Sequence, residues 1–176
     1  IVADEAVSMV DVSLRVGILR TLQELIDTRS MAMLFITHDF GVARFIGYRQ
    51  QLAVMYLGEF VEVGTTEEVI HQPAHPYTLM LLSAVPLADP IANRRRQRLL
   101  PTSDEVPDAT RVPRGCAFAD RCPLATQLCY EVRPQLAPAP VNNRLVACHH
   151  SDQVEALTHA VRGGKSQNYP TWRTGD

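Results

Sequence analysis

The stretch IVADEAVSMVD (residues 1–11) runs an apolar segment into two adjacent acids, Asp4 and Glu5, before the chain turns polar. Consecutive apolar residues mark a strand buried on both faces, as parallel sheets require, so Ile1–Ala3 is read as the end of such a strand. In open α/β sheets a ligand sits beyond the carboxyl ends of the strands, which is where the two acids fall. An acid at a strand tip can hold the Mg²⁺ that neutralises a triphosphate. The next carboxylate, on the other side of the pleat, can orient or deprotonate a water.

The residues that follow support an α/β reading. Val12, Val16, Leu19, Leu22, Leu25 and Ile26 recur at helical spacing behind Asp11, a suitable N-cap. Met31–Thr37 is a second apolar strand, and it delivers His38 and Asp39 to the same sheet edge as Glu5. A short helix is expected over Gly41–Tyr48, then two strands joined by a tight turn at Leu57-Gly58. Thr66 is read as the cap of another helix, with Glu67 and Glu68 favourably placed in its first turn; Pro73 stops it and Pro76 opens the next. Strand, helix, strand, helix and an antiparallel pair make up the back half of an α/β sheet.

The character changes after Pro86. Residues 86–115 hold five prolines and the run Arg94-Arg95-Arg96, and read as a linker. Residues 116–150 contain all four cysteines, and a helix is expected over Val154–Val161 within a tail, 151–176, that ends frayed.

The series IVADEAVSMVD…FITHD resembles the Walker B, D-loop and H-loop series of ATP-binding cassette (ABC) ATPases. The segment AVMYLGEFVEVGTTEEVIHQPAHPYTLMLLSAVP is similar to the C-terminal portion of the oligopeptide/dipeptide importer subfamily, notably in its HPYT and SAVP pieces. The resemblance implies that residues 1–85 are the back half of a P-loop ABC-type nucleotide-binding domain. It further implies that Asp4 binds Mg²⁺, that Glu5 polarises the attacking water, and that His38 contacts the γ-phosphate. Ser8 and Asp11 fall in the D-loop, which in the family meets the partner domain. Ala6 departs from the family, which usually has proline there.

No glycine here fits a G-x-x-x-x-G-K-[ST] phosphate loop, and the glutamine loop and the signature LSGGQ are likewise missing from these 176 residues. The expectation is that the front half of the ATPase precedes Ile1, and that this chain alone does not hydrolyse ATP. Partners or further polypeptide are expected over Ile1–Ala3 and Met31–Ile36, whose apolar faces would otherwise be bare.

Cys116, Cys122, Cys129 and Cys148 are separated by five, six and eighteen residues. Clustered thiols in a reducing compartment are more often metal ligands than disulfides. These gaps match neither zinc knuckles nor the compact ferredoxin run; wider spacing suits a cubane, with Zn²⁺ as the alternative. The RCP and CH flanks resemble the importer extension associated with a [4Fe-4S] cluster. Arg114 and Arg121 are candidates to donate to cluster sulfurs.

A net charge of −2 argues against nucleic-acid binding through bulk electrostatics. YTLMLLSAV, the longest apolar stretch, is far short of a membrane span, and the N-terminus lacks the charged region of a signal peptide. The resemblance implies ATP and Mg²⁺ as cofactors. As partners it implies a second ABC ATPase subunit, transmembrane permease subunits and, indirectly, a substrate-binding protein, at the cytoplasmic face of the membrane. The alternative is a non-catalytic metal-binding regulatory or assembly module.

Overall fold

The computed structural model describes residues 1–86, 98–103, 105, 113–140 and 144–162; the arginine run, most of the 86–115 connection and the tail from 163 lie outside them. The described residues divide into two units, Ile1–Gln50 and those from Gln51 on.

In the first unit, β1 (Val2–Asp4) and β2 (Leu34–Ile36) pair in parallel, Ala3 opposite Phe35 and Asp4 opposite Ile36. Glu5 extends the ladder, its N–H donating to the Ile36 carbonyl at 3.0 Å. The first helix, α1 (Val12–Arg29), starts at Asp11 as expected, with the carboxylate accepting from the Ser13 and Leu14 N–H groups. A second, α2 (Phe40–Ile46), is capped by Asp39 in the same way. Val7, Leu19 and Val42 form the core, with Phe35, Phe45 and Ile46 packed against it.

Burial here departs from expectation. Of the apolar stripe on α1 only Leu19 is buried, and β1 buries Ala3 alone, leaving Val2 71% exposed. Leu34 and Ile36 stand exposed beside it, and the strand read over Met31–Thr37 is only three residues long. A two-stranded sheet buries the face that meets its helices, and no described residue of this unit covers the other.

The second unit is built on a hairpin, β3 (Gln51–Tyr56) and β4 (Glu59–Thr65). Leu57 and Gly58 both adopt positive φ, 47° and 81°, in the two-residue turn that the sequence marks. The hairpin does not continue the β1–β2 sheet, as the sequence reading has it. It belongs to a separate four-stranded sheet of order β3-β4-β6-β5, completed by β5 (Ala137–Pro138) and β6 (Leu145–Val146). Glu62 and Val63 pair with Val146 and Leu145, so the cysteine segment is laced onto the hairpin.

The register slips between Val54 and Met55: Glu62 pairs with Val54 and Phe60 with Met55, leaving Val61 as the extra residue of a bulge. The bulge turns both Val61 and Glu62 inward. The third helix, α3 (Thr66–His71), is capped by Thr65 rather than Thr66. A capping box explains the one-residue shift, because Thr65 and Glu68 each bond the other's backbone N–H. Pro76 opens α4 (Pro76–Ala84) as expected. A short helix α5 (Gln127–Glu131) carries Cys129, and the last, α6 (Val154–Arg162), brings Val154 and Val161 against Leu79 of α4. Among the described residues no helix is long and apolar enough to cross a membrane.

Candidate functional site

Glu5 and His38 meet at the carboxyl end of the β1–β2 pair. Glu5 Oε1 accepts the His38 backbone N–H at 2.9 Å and lies 2.8 Å from His38 Nδ1. An ionised carboxylate only accepts, so Nδ1 carries the proton and Nε2 faces outward on a largely exposed ring. The hydrogen bond from His38 holds the Glu5 carboxyl below the usual range. Glu5 Oε2 is occluded and has no hydrogen-bond partner. Glu5 also takes a left-handed φ of 46°, a strained conformation for a residue with a side chain. Strain of this kind persists where surrounding structure enforces it, and it collects at functional sites.

The other acidic-edge residues divide. Asp4 ends β1, exposed, immediately before Glu5. Ser8 donates its hydroxyl to the Glu5 carbonyl at 2.8 Å and closes the turn that follows. Asp11 is engaged as the cap of α1, and the Ser13 hydroxyl, followed by the Leu14 N–H, holds its carboxyl low. Asp39 caps α2 and pairs with Arg15 at 3.3 Å.

The four cysteines are free thiols, Cys129 buried and the other three partly so. Three have backbone donors aimed at the sulfur. Leu124 and His150 N–H groups reach Cys122 Sγ and Cys148 Sγ at 3.4 Å. Phe118 and Ala119 N–H groups act on Cys116, and the Thr126 hydroxyl lies 3.7 Å from Cys129 Sγ. Burial pushes Cys122 up to about 11 and Cys148 up to about 12, and the charges of the neighbouring thiolates add to the rise. Burial therefore favours the neutral thiol at Cys122 and Cys148. Among the described residues no group of three or more His, Cys, Asp or Glu side chains is arranged to hold a metal ion. Arg121, a sequence candidate for sulfur contact, instead donates to the Ser103 carbonyl.

Cys116 is held against Cys129 by a 2.7 Å bond from its N–H to the Cys129 carbonyl. Gly115 permits that approach, since a Cβ there would stand 2.1 Å from the same carbonyl oxygen. Gly115→Ala should cost about 1–3 kcal/mol, because backbone atoms rather than a side chain must give way. Urea unfolding of wild type and variant checks this, and an unchanged midpoint would contradict the packing.

Residues 61–129 match the family described as oligopeptide/dipeptide transporter, C-terminal region. Over these residues the chain is similar to that family. The transporter C-terminal region is part of a longer likeness. The chain is 44% identical over 149 residues to a probable peptide ABC transporter ATP-binding protein of Sinorhizobium fredii, covering 85% of this chain and 40% of the relative. It is 43% identical over 152 residues to the dipeptide transport ATP-binding protein DppF of Haemophilus influenzae, covering 86% and 45%. It is also 43% identical over 136 residues to the oligopeptide transport ATP-binding protein OppF of Salmonella typhimurium, covering 77% and 40%. The chain thus spans less than half the length of these curated relatives.

The HPYT piece of the transporter region has a structural reason. His75 caps α4, its Nδ1 accepting the Tyr77 N–H at 3.1 Å. Burial alone drives its pKa down to about 3, so it stays neutral. Tyr77 and His75 pack on Phe118 with ring centroids 5.4 and 5.9 Å apart, and Tyr56 joins them. Beneath lies Glu62, fully buried, whose two oxygens accept the Ala74 and His75 N–H groups at 2.8 and 3.0 Å. Arg144 stands 3.6 Å from that carboxylate. Sequence reading missed Glu62 and Arg144; a lone Glu in a β pattern carries no sign that it faces inward.

Proposed function

We propose that this chain is the C-terminal part of an ATP-hydrolysing subunit that powers peptide import through an ABC transporter, with residues 1–85 in its nucleotide-binding domain. The observation that carries the reading is the Glu5–His38 contact at the end of a parallel strand pair. Asp4 would hold the Mg²⁺, which supplies charge neutralisation on the triphosphate. Glu5, ionised well below neutrality, would orient and polarise water as a carboxylate rather than storing a proton. His38 presents Nε2 to the terminal phosphate, its ring fixed by Glu5. Ser8 shapes the turn behind Glu5, and Asp11 sets the start of α1 where a partner ATPase subunit would meet it. In this reading the exposed apolar residues Val2, Leu34 and Ile36 pack against polypeptide outside this chain, and permease subunits hold the assembly at the cytoplasmic face of the membrane. A substrate-binding protein would deliver the peptide.

In the longer protein carrying this chain, Glu5→Gln should cut ATP turnover by about 10²–10⁴-fold with nucleotide binding retained. The 176-residue chain alone should show no turnover. A Glu5→Gln variant within tenfold of wild type would defeat the assignment.

The extension at 116–150 is proposed to hold a [4Fe-4S] cluster through Cys116, Cys122, Cys129 and Cys148. Its donor set is all sulfur, which suits iron–sulfur or zinc rather than hard cations. Three of the sulfurs also have backbone donors aimed at them, as cluster ligands commonly do. Anaerobic purification should yield about four irons per chain; stoichiometric zinc would exclude the cluster.

A further inference from the structure

Arg15 lies in the first turn of α1, behind the Asp11 cap, and its guanidinium bridges two loops. Nη1 donates to Asp39 Oδ2 at 3.3 Å, and Nη2 donates to the Val10 carbonyl at 3.1 Å. Nε is buried and has no hydrogen-bond partner among the described residues. An orphaned buried donor is unfavourable, and an ion pair partly open to solvent returns little stability. The arrangement is better explained by what the bridge joins.

Both loops belong to the Glu5–His38 site. Val10 closes the turn that starts at Glu5: the Ser8 N–H donates to the Glu5 carbonyl, and the Val10 N–H to the Val7 carbonyl. Asp39 follows His38 directly. Its Oδ1 accepts the Gly41 and Val42 N–H groups at the start of α2, and its own N–H donates to Thr37 Oγ1. Oδ2 is the oxygen that takes Arg15. The His38 side chain is 79% exposed, so packing does not set its direction. Glu5 sets it, through Nδ1 and the backbone N–H, together with the backbone that Asp39 anchors. Arg15 therefore makes a second tie between the two segments that Glu5 and His38 already join. A guanidinium suits this task because its terminal nitrogens are fixed in one plane, whereas an ammonium is a point charge on a flexible stem.

We propose that Arg15 is a positioning residue for ATP hydrolysis, a brace that holds the turn after Glu5 against the His38–Asp39 loop and keeps Glu5 and His38 in register. The inference rests on the hydrolytic role given to that pair above. Arg15 touches no reacting atom; it acts through the other two residues. Loosening the brace lets the pair drift, and a misplacement of about 1 Å can cost about 10²-fold in rate.

The test is steady-state ATP turnover by the longer protein carrying this chain, with Arg15→Met, Arg15→Lys, Glu5→Gln and the double variant Arg15→Met/Glu5→Gln. Arg15→Met keeps the stem and removes the donors; kcat should fall about 10–100-fold while KM for ATP stays within about twofold. Arg15→Lys can keep one tie of the two and should fall between wild type and Arg15→Met. In the Glu5→Gln background, Arg15→Met should add less than about threefold, because the pair it positions is already disabled. Asp39→Asn keeps the α2 cap through its amide oxygen and weakens the brace from the other side, so it should lower kcat in the same direction. A kcat within about threefold of wild type in folded Arg15→Met or Asp39→Asn, with Glu5→Gln inactive, would overturn the brace. So would a raised KM at unchanged kcat, or a full loss repeated in the Glu5→Gln background. Glu5→Gln within tenfold of wild type would instead overturn the hydrolytic reading, and this inference with it.

Discussion

Replacing Glu62 by glutamine, a change of one atom, should destabilise the hairpin unit by about 3–5 kcal/mol. Glu62 uses both carboxylate oxygens as acceptors, one for the Ala74 N–H and one for the His75 N–H. An amide offers one acceptor, so its NH₂ would face a backbone donor and leave that N–H unpaired in a dry site. Arg144, itself buried, would lose its counter-charge at the same time. Burial, the largest influence, leaves the Glu62 pKa raised, opposed by the Ala74 N–H, Thr78, Arg144 and the His75 N–H. Urea unfolding followed by circular dichroism measures the loss. A change below about 1 kcal/mol would show that the carboxylate is not what joins β4 to the turn before α4.

The second large effect is a dependence on acid that His75 alone should produce. Its folded pKa lies near 3 against an ordinary 6.5, so between those values the unfolded chain binds a proton that the folded chain refuses. Stability then falls as pH drops from about 6.5 toward 3, by about 1.4 kcal/mol per unit, and is independent of this group above 6.5. At pH 5 the loss is about 2 kcal/mol. The depressed carboxyls of Glu5, Asp11 and Glu68 act in the same sense, but only below their ordinary values, 4.5 for the glutamates and 3.8 for the aspartate. Glu62, whose pKa is raised by burial, acts in the opposite sense above 4.5, so between 4.5 and 6.5 comparison with a His75 variant isolates the histidine. His75→Asn keeps an oxygen acceptor for the Tyr77 N–H and should flatten the profile there. Unfolding midpoints at pH 7 and pH 5 decide the matter: equal stabilities in wild type, or a slope that survives in His75→Asn, would contradict the burial argument.

What could be read from the sequence follows the range of the interactions involved. Local rules placed α1 behind Asp11, α4 behind Pro76 and the Leu57-Gly58 turn, because caps, proline and turn chemistry act within four residues. The Thr65 cap was missed by one position because two adjacent threonines satisfy the same pattern and only the reciprocal bonds with Glu68 choose between them. Burial of β1 was overstated because an apolar run reports what a strand is suited to face, while Val2 faces no described residue of its own unit. The union of hairpin and cysteine segment was invisible: Val63 and Leu145 are far apart in sequence and each strand is too short to signal its partner. Glu5 and His38, by contrast, were legible because two strand ends of one parallel pair must share an edge. The inward turn of Glu62 escaped for the opposite reason. A bulge breaks the two-residue alternation on which strand reading depends.

The β4–β6 pairing has a thermal consequence. Val146 lies two residues before Cys148 and is zipped to Glu62, with the Ala147 N–H bonded to the Val61 carbonyl at 2.9 Å. Were the four sulfurs to hold the proposed cluster, it would be released when this strand peels away, so filling the thiols should raise the melting temperature of the hairpin as well as of the segment that bears them. A tenant present at a thousand times its dissociation constant would add about 4 kcal/mol to the unit's resistance to heat. Stripping that tenant with a chelator should therefore lower a single shared transition rather than split it in two.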